Sequence, residues 1–273
     1  MTAKEKYVAL LAALKGYGQV AVAFSAGVDS SFLLYAAQQA LGENVLAVTV
    51  HSPFVPAQEQ QAAQDFCRTL DVQQLRLTID TLAIAGVREN PPERCYLCKH
   101  ALFSEMRRAA AEAGFPAVVE GSNADDLGDY RLGMRALREL GILSPLLDAG
   151  LTKQEIRTLS KEAGLPCWDK PAMACLATRF PCGTPLTVEG LRRVEQAEAY
   201  LRTLNLHQLR VRAHGDLARI ELEQEELSKL LENAAAVTGQ LQALGFRYVT
   251  LDLHGYQTGS MNPQQAARMA HTE

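Results

Sequence analysis

The sequence predicts an α/β protein: a doubly wound parallel sheet followed by a second, smaller α/β domain. Three observations lead there. Short, continuous apolar runs, Val20 to Phe24 and Val45 to Val50, alternate with helical patterns, as strands covered on both faces do. The first run ends in a small-residue turn, Ser25-Ala26-Gly27-Val28-Asp29-Ser30, that opens directly into a helical pattern. From Thr187 the order changes to helix, strand, strand, helix, strand.

In chain order, residues 4–15 form an amphipathic helical pattern. The helix after the turn (Phe32, Leu33, Leu34, Ala36, Ala37) stops at Leu41-Gly42, where glycine suits a C-cap. Beyond the second strand and the His51-Ser52-Pro53 break, a helix over about 57–70 leads to a third strand near 75–79. After Asp80 the pattern is irregular, with a loop over 89–94. Cys95-Tyr96-Leu97-Cys98-Lys99 then starts a helix reaching about Ala113. A strand at Ala117 to Glu120 ends in Gly121-Ser122-Asn123-Ala124-Asp125-Asp126, with Asp129-Tyr130-Arg131 close behind. Thr152 with Glu155 has capping-box spacing and predicts a helix ending at Gly164.

The stretch from Lys170 to Gly183 has the character of a functional loop, and the predicted domains are 1–168 and 169–273. In the second, a helix (Leu191, Val194, Ala197, Leu201) precedes strands at 208–213 and 218–222, joined by His214-Gly215-Asp216. A single helix over about 225–244 and a last strand at 247–253 follow. Residues 258–273 carry little apolar pattern.

Composition narrows the function classes. With 48% hydrophobic and 21% charged residues over 273 positions, the chain is that of an ordinary globular protein. The net charge of −4 disfavours a broad nucleic-acid surface. The opening Met1-Thr2-Ala3-Lys4-Glu5-Lys6 leads into an amphipathic helix and not an apolar leader. No apolar run is long enough for a membrane span, so the expected location is cytoplasmic. There the six cysteines are expected to be thiols or metal ligands and not disulfides.

The turn carries the first chemistry. A strand, a slim loop and a helix N-terminus present backbone N–H groups and the hydroxyls of Ser25 and Ser30 to an anion. Ala26 and Gly27 let a phosphate approach the backbone. Walker A is excluded, because no Gly-Lys-Ser/Thr follows. Gly121 lies in a second loop at the same sheet edge; Asp125 and Asp126 there are open to capping, magnesium binding or ribose positioning. Cys95 and Cys98, at i and i+3 of a helix start, can point at one metal, and Cys175 can add a third thiolate. Such a site suits an iron–sulfur cluster with an open corner, or zinc if Cys182, Cys167 or His100 completes it. Cys67 fits a small buried hydrophobe. Arg210 and Arg212 alternate on a strand and so share a face; with Arg219 and Glu221 opposite they form either an anion pocket or cross-strand ion pairs. Arg179 is a further anion-binding candidate.

The turn resembles the S-G-G-x-D-S loop of the N-type ATP pyrophosphatases (adenine nucleotide alpha hydrolase-like, PP-loop), with Ala26 in place of a glycine. If that position requires φ > 0, alanine is strained there. Together with G-S-N-A-D-D, D-Y-R, C-L-A-T-R-F-P-C-G-T-P-L-T, R-V-R-A-H, A-R-I-E-L and R-Y-V-T-L-D-L-H-G-Y, the chain resembles the LarE family over nearly its full length. The resemblance implies an ATP-dependent sulfurtransferase that adenylates the carboxylates of a pyridinium biscarboxylic acid mononucleotide and converts them to thiocarboxylates, for the nickel-pincer nucleotide of lactate racemase. It implies ATP and Mg²⁺, with Asp29 toward the magnesium. Because the C-x-x-C is present, it implies the family's 4Fe-4S type, ligated by Cys95, Cys98 and Cys175. Arg210, Arg212 and Glu221 would receive the substrate's phosphate or carboxylates. A homo-oligomer is expected, with no nucleic-acid or membrane partner. The alternatives are a tRNA 2-thiolation enzyme, or a nucleotide-binding module with structural zinc.

Overall fold

The computed structural model describes residues 1–128, 131–171, 174–257 and 261. They form two compact units: Met1–Asp80 with Glu93–Met173, and Thr81–Pro92 with the described residues from Ala174 onward. The single expected cut after residue 168 thus becomes a later cut plus an excursion. Residues 81–92 join the second unit because their backbone is paired there: Gly183 N–H donates to the Asn90 carbonyl (2.8 Å), Asn90 Nδ2 to Pro181 O (2.7 Å), and Leu186 N–H to Arg88 O (2.7 Å).

The first unit runs α1 (Ala3–Tyr17), β1 (Val20–Ala23), α2 (Val28–Leu41), β2 (Val45–His51), α3 (Ala57–Thr69), β3 (Gln73–Thr78), α4 (Arg94–Glu112), β4 (Ala117–Val119), α5 (Arg131–Glu139), α6 (Pro145–Asp148) and α7 (Lys153–Glu162). Its four strands are parallel, in the order β3-β2-β1-β4. The apolar runs follow from burial on both faces. Val20, Val22, Val45, Ala47 and Val119 face one core with Leu10, Leu14 and Phe32 of α1 and α2. The alternate residues Ala21, Leu46, Val48 and Val118 face the other core, with Met106, Ala110 and Leu137 of α4 and α5. This is the doubly wound arrangement that the alternation predicts. Leu10 and Leu14 are fully buried, and truncating either to alanine is expected to cost about 2–5 kcal/mol.

Capping fixes where two helices begin. Thr2 with Glu5 starts α1, and Thr152 with Glu155 starts α7, both as reciprocal capping boxes. Glu155 also accepts Lys6 Nζ at 2.8 Å, which ties α7 to α1. Lys6 and the Thr152 N–H hold its carboxyl below the usual value.

The second unit contains α8 (Val188–Thr203), β5 (Leu209–His214), β6 (Leu217–Leu222), α9 (Leu227–Glu232), α10 (Ala234–Ala243) and β7 (Tyr248–Leu251). β5 and β6 are an antiparallel pair across a turn in which Gly215 takes φ 64°, while β7 runs parallel to β6. The single helix expected over about 225–244 is broken at Asn233. There Asn233 Nδ2 donates to the Lys229 carbonyl (2.9 Å), a local bond that competes with helix continuation. Among the described residues no helix is long and apolar enough to cross a membrane.

Candidate active site

The Ser25–Ser30 turn sits where β1 hands over to α2, at the carboxyl edge of the sheet. It is closed by its own hydroxyls. Ser30 Oγ donates to the Gly27 carbonyl (3.2 Å), accepts from Ser25 N–H (3.3 Å) and lies 3.0 Å from Ser25 Oγ. Val28 is buried, so it serves the site through its backbone only. Ala26 has φ 57°, which is the left-handed strain foreseen for a non-glycine residue at this position.

Gly121 serves by close approach. A Cβ there would stand 3.0 Å from Ser30 N and 3.3 Å from the Asp29 carbonyl carbon, so only glycine lets the β4 loop lie against the start of α2. Of the two aspartates, Asp125 accepts the Lys153 N–H at 2.8 Å and so caps α7, while Asp126 accepts Asn123 N–H at 2.8 Å. Capping is therefore the contact that both make. Asp129 and Tyr130 lie outside the described residues, as do residues 262–273.

A cleft of about 370 Å³ opens beside the turn. Ser25, Gly27, Asp29, Ser30 and Gly121 form its polar edge; Phe103, Met106 and Val50 give it an apolar wall; Lys99 and Asp126 reach its rim. Its size and its apolar lining with few polar groups suit a nucleotide. Asp29 pairs with Lys153 through Oδ2, whereas its buried Oδ1 has no hydrogen-bond partner among the described residues. An orphaned carboxylate oxygen in a phosphate cleft fits a hard cation such as Mg²⁺. Sequence reading passed over the basic groups around this cleft. Lys153 and Lys170 come from α7 and the strap after it, and Lys99 follows Cys98; no local pattern marks them.

Cys95 and Cys98 lie one turn apart at the N-terminus of α4, both half-buried. Arg94 Nη2 donates to Cys95 Sγ at 3.5 Å. Cys67 and Cys167 are buried, and burial pushes both thiols up, Cys67 to about 12. Cys67 is thus the small buried hydrophobe expected of it. Within neither unit, among the described residues, are three His, Cys, Asp or Glu side chains gathered at metal-binding spacing.

In the second unit Cys175 is exposed and heads a 3₁₀ turn, Leu176–Arg179. Arg179 is completely buried and holds that turn. Its Nη1 donates to the Ala174 and Cys175 carbonyls (2.8 and 3.2 Å), and its Nε and Nη2 grip Glu198 at 2.8 and 3.0 Å. Arg179 is thus a positioning residue for the cysteine turn and not a free anion receptor. Arg210, Arg212, Arg219 and Glu221 share one face of the β5–β6 pair, as the alternation required. That face is buried and not solvated. Glu221 is wholly buried, with Oε2 taken by Arg212 (2.7 Å) and Oε1 by Arg219 (2.8 Å), so it orders arginines and receives no substrate anion. Arg210 is 2% exposed and stacks over Tyr256 at 5.1 Å. Burial, then the neighbouring Arg179, lower its guanidinium to about 10. Among the described residues, Arg179 and Arg202 pair with Glu198, Arg212 and Arg219 pair with Glu221, and Arg219 also meets Asp252, so the arginines gather around two buried carboxylates.

The NAD synthase family matches residues 3–110, the segment that holds the turn and most of the residues lining its cleft. Over 262 residues, 96% of this chain and 95% of the other, the sequence is 40% identical to the pyridinium-3,5-bisthiocarboxylic acid mononucleotide synthase of Lactiplantibacillus plantarum. The chain belongs to the LarE family. It is also 41% identical over 243 residues to an uncharacterized protein of Synechocystis sp., covering 88% of this chain and 91% of that one. An uncharacterized protein of Methanocaldococcus jannaschii is 29% identical over 240 residues, with 88% and 91% covered. LarE membership makes the chain an ATP-using sulfurtransferase of the PP-loop class, and the Ser25–Ser30 turn is the loop that defines that class.

Proposed function

We propose that this LarE-family protein converts the carboxylates of pyridinium-3,5-biscarboxylic acid mononucleotide into thiocarboxylates at the expense of ATP. The observation that carries this reading is the 40% identity over 96% of the chain to a synthase whose name states that product. The arginines that share the β5–β6 face support it, since a mononucleotide brings one phosphate and two carboxylates.

The chemistry divides into two displacements. A substrate carboxylate oxygen attacks the α-phosphorus of ATP; the bond to the β-phosphate oxygen breaks and pyrophosphate leaves. The loop N–H groups at the α2 N-terminus stabilise the charge that gathers on it, and Asp29 would hold the Mg²⁺ that shares this charge. A hydrosulfide then attacks the acyl carbon. AMP departs with the former carboxylate oxygen, and a thiocarboxylate remains. Sulfur enters as hydrosulfide and stays at the same oxidation level in the thiocarboxylate, so no redox partner is needed. Asp126, Lys99 and the apolar wall hold the nucleotide and limit the access of water, which would otherwise hydrolyse the acyl adenylate.

Cys95, Cys98 and Cys175 are the residues that would hold a 4Fe-4S cluster. Their chemistry fits: two half-buried thiols one helical turn apart, one of them beside Arg94, and an exposed third at a turn that Arg179 keeps in shape. Such a cluster, when bound, supplies sulfide at an iron without a protein ligand. Anaerobic purification or reconstitution is expected to give about four iron and four sulfide per chain, as the named cluster contains. Stoichiometric zinc without sulfide would overturn the cluster assignment and leave the ATP chemistry standing.

A further inference from the structure

The strained turn needs something to hold it. A left-handed alanine crowds its Cβ against the following carbonyl, and such residues persist only where their surroundings over-determine them. The first unit contains such a restraint. Lys170 Nζ donates to the Ala26 carbonyl at 3.0 Å and to Glu59 Oε2 at 2.7 Å. Glu59 is 5% exposed, so it is a buried carboxylate whose ion partner is this ammonium. Lys170 is itself fixed from α7: Arg157 donates through Nη1 to the Trp168 carbonyl and through Nη2 to the Lys170 carbonyl, each at 2.8 Å. The same helix begins at Lys153, whose ammonium pairs with Asp29 at the far side of the turn. Thus α7 grips the turn at two points, directly through Lys153 and through the strap that carries Lys170.

We propose that Lys170 is a positioning residue of the ATP loop: seated on the buried Glu59, it holds the Ala26 carbonyl and so fixes the Ala26–Gly27 peptide in the orientation that nucleotide binding uses. The peptide is planar and trans, so the Gly27 N–H points opposite to the carbonyl that Lys170 grips. Gly27 lines the cleft, and a flip of this peptide would turn its N–H away from its present direction. Relaxing Ala26 to the right-handed region, which an alanine intrinsically prefers, rotates its ψ as well as its φ and so swings this carbonyl off Lys170 and reorients the Gly27 N–H. The lysine therefore supplies what a glycine would not need. The inference rests on the turn being the ATP site.

The test compares Lys170→Met, Lys170→Met with Glu59→Gln, and each with Ala26→Gly. Removing the ammonium alone strands a buried carboxylate and weakens the fold, so the Lys170→Met/Glu59→Gln protein is the decisive variant. It is expected to raise amide hydrogen exchange over residues 24–31 about tenfold, the factor that about 1.4 kcal/mol of lost restraint would give. Exchange in β2 and β4 should stay unchanged. KM for ATP should rise by about the same factor with kcat little altered, and adding Ala26→Gly should recover most of that loss. A folded Lys170→Met/Glu59→Gln protein with parental exchange over 24–31 and parental KM would overturn the proposal, as would a defect that Ala26→Gly leaves untouched. Should the parent protein split no ATP at all, the functional reading fails, while the exchange measurement still decides the role of Lys170.

Discussion

The two units hold their polar groups on opposite principles. In the first unit the groups proposed to bind an anion are backbone N–H donors of a short turn, and one alanine there is strained into a shape that distant lysines hold. In the second unit the groups are side chains, held in a buried lattice in which Glu198 and Glu221 space the arginines. A turn can be rebuilt by a small conformational change. A lattice of buried charges cannot lose a member without exposing the rest to uncompensated charge. Damage should therefore be local and kinetic in the first unit but global in the second.

The largest effect separates the two regimes. Glu198→Ala leaves Arg179 and Arg210 without their shared carboxylate and should destabilise the second unit by about 3–5 kcal/mol in a urea melt. Its pH dependence follows from the same lattice. Burial alone would raise the Glu198 carboxyl, but Arg179, Arg210 and Arg202 together bring it below the ordinary value. With the folded value lower than the unfolded one, its contribution is complete above the unfolded value and is lost as pH falls through the folded one. Melting temperature should then drop below about pH 4, and Glu198→Gln should flatten that drop.

Next comes Arg210→Met, which disturbs the lattice less than Glu198→Ala because Glu198 keeps Arg179 and Arg202, and Glu221 keeps Arg212 and Arg219. KM for the mononucleotide should rise roughly 10- to 100-fold, the worth of a charge-assisted hydrogen bond, with KM for ATP unmoved. An equal rise in both constants would place the arginine face elsewhere than at the substrate. The smallest of the three is Gly121→Ala. Its Cβ would press on the Ser30 backbone, so the start of α2 must shift, at a cost of about 1–3 kcal/mol. Here KM for ATP should rise and KM for the mononucleotide should not. Steady-state kinetics with each substrate varied in turn check both variants.

The same contrast explains what the sequence disclosed. Features set by neighbours in the chain were legible: the parallel strands from their unbroken apolar runs, and the capping box at Thr152 and Glu155; the positive φ of Ala26 was raised only as a condition, by the glycine that resembling loops carry there. The shared face of Arg210 and Arg212 was legible too, because strand alternation is local. Features set by distant partners were not. Lys153 and Lys170 reach back more than a hundred positions to Asp29, Ala26 and Glu59. Arg179 looked like an anion receptor until its partner Glu198 was seen. Residues 81–92 had no pattern of their own because backbone bonds to residues 181–186 define them. Asn233 broke a helix through one side-chain bond that helical periodicity does not register.

The reaction proposed for this protein is the exchange of one ATP-activated carboxylate oxygen for sulfur. It is tested most directly by incubating the anaerobically prepared protein with Mg-ATP, sulfide and pyridinium-3,5-biscarboxylic acid mononucleotide, and measuring AMP, pyrophosphate and product mass together. One AMP and one pyrophosphate are expected for each oxygen replaced by sulfur, with none formed when the mononucleotide is omitted. A mononucleotide of unchanged mass with no pyrophosphate released would contradict it.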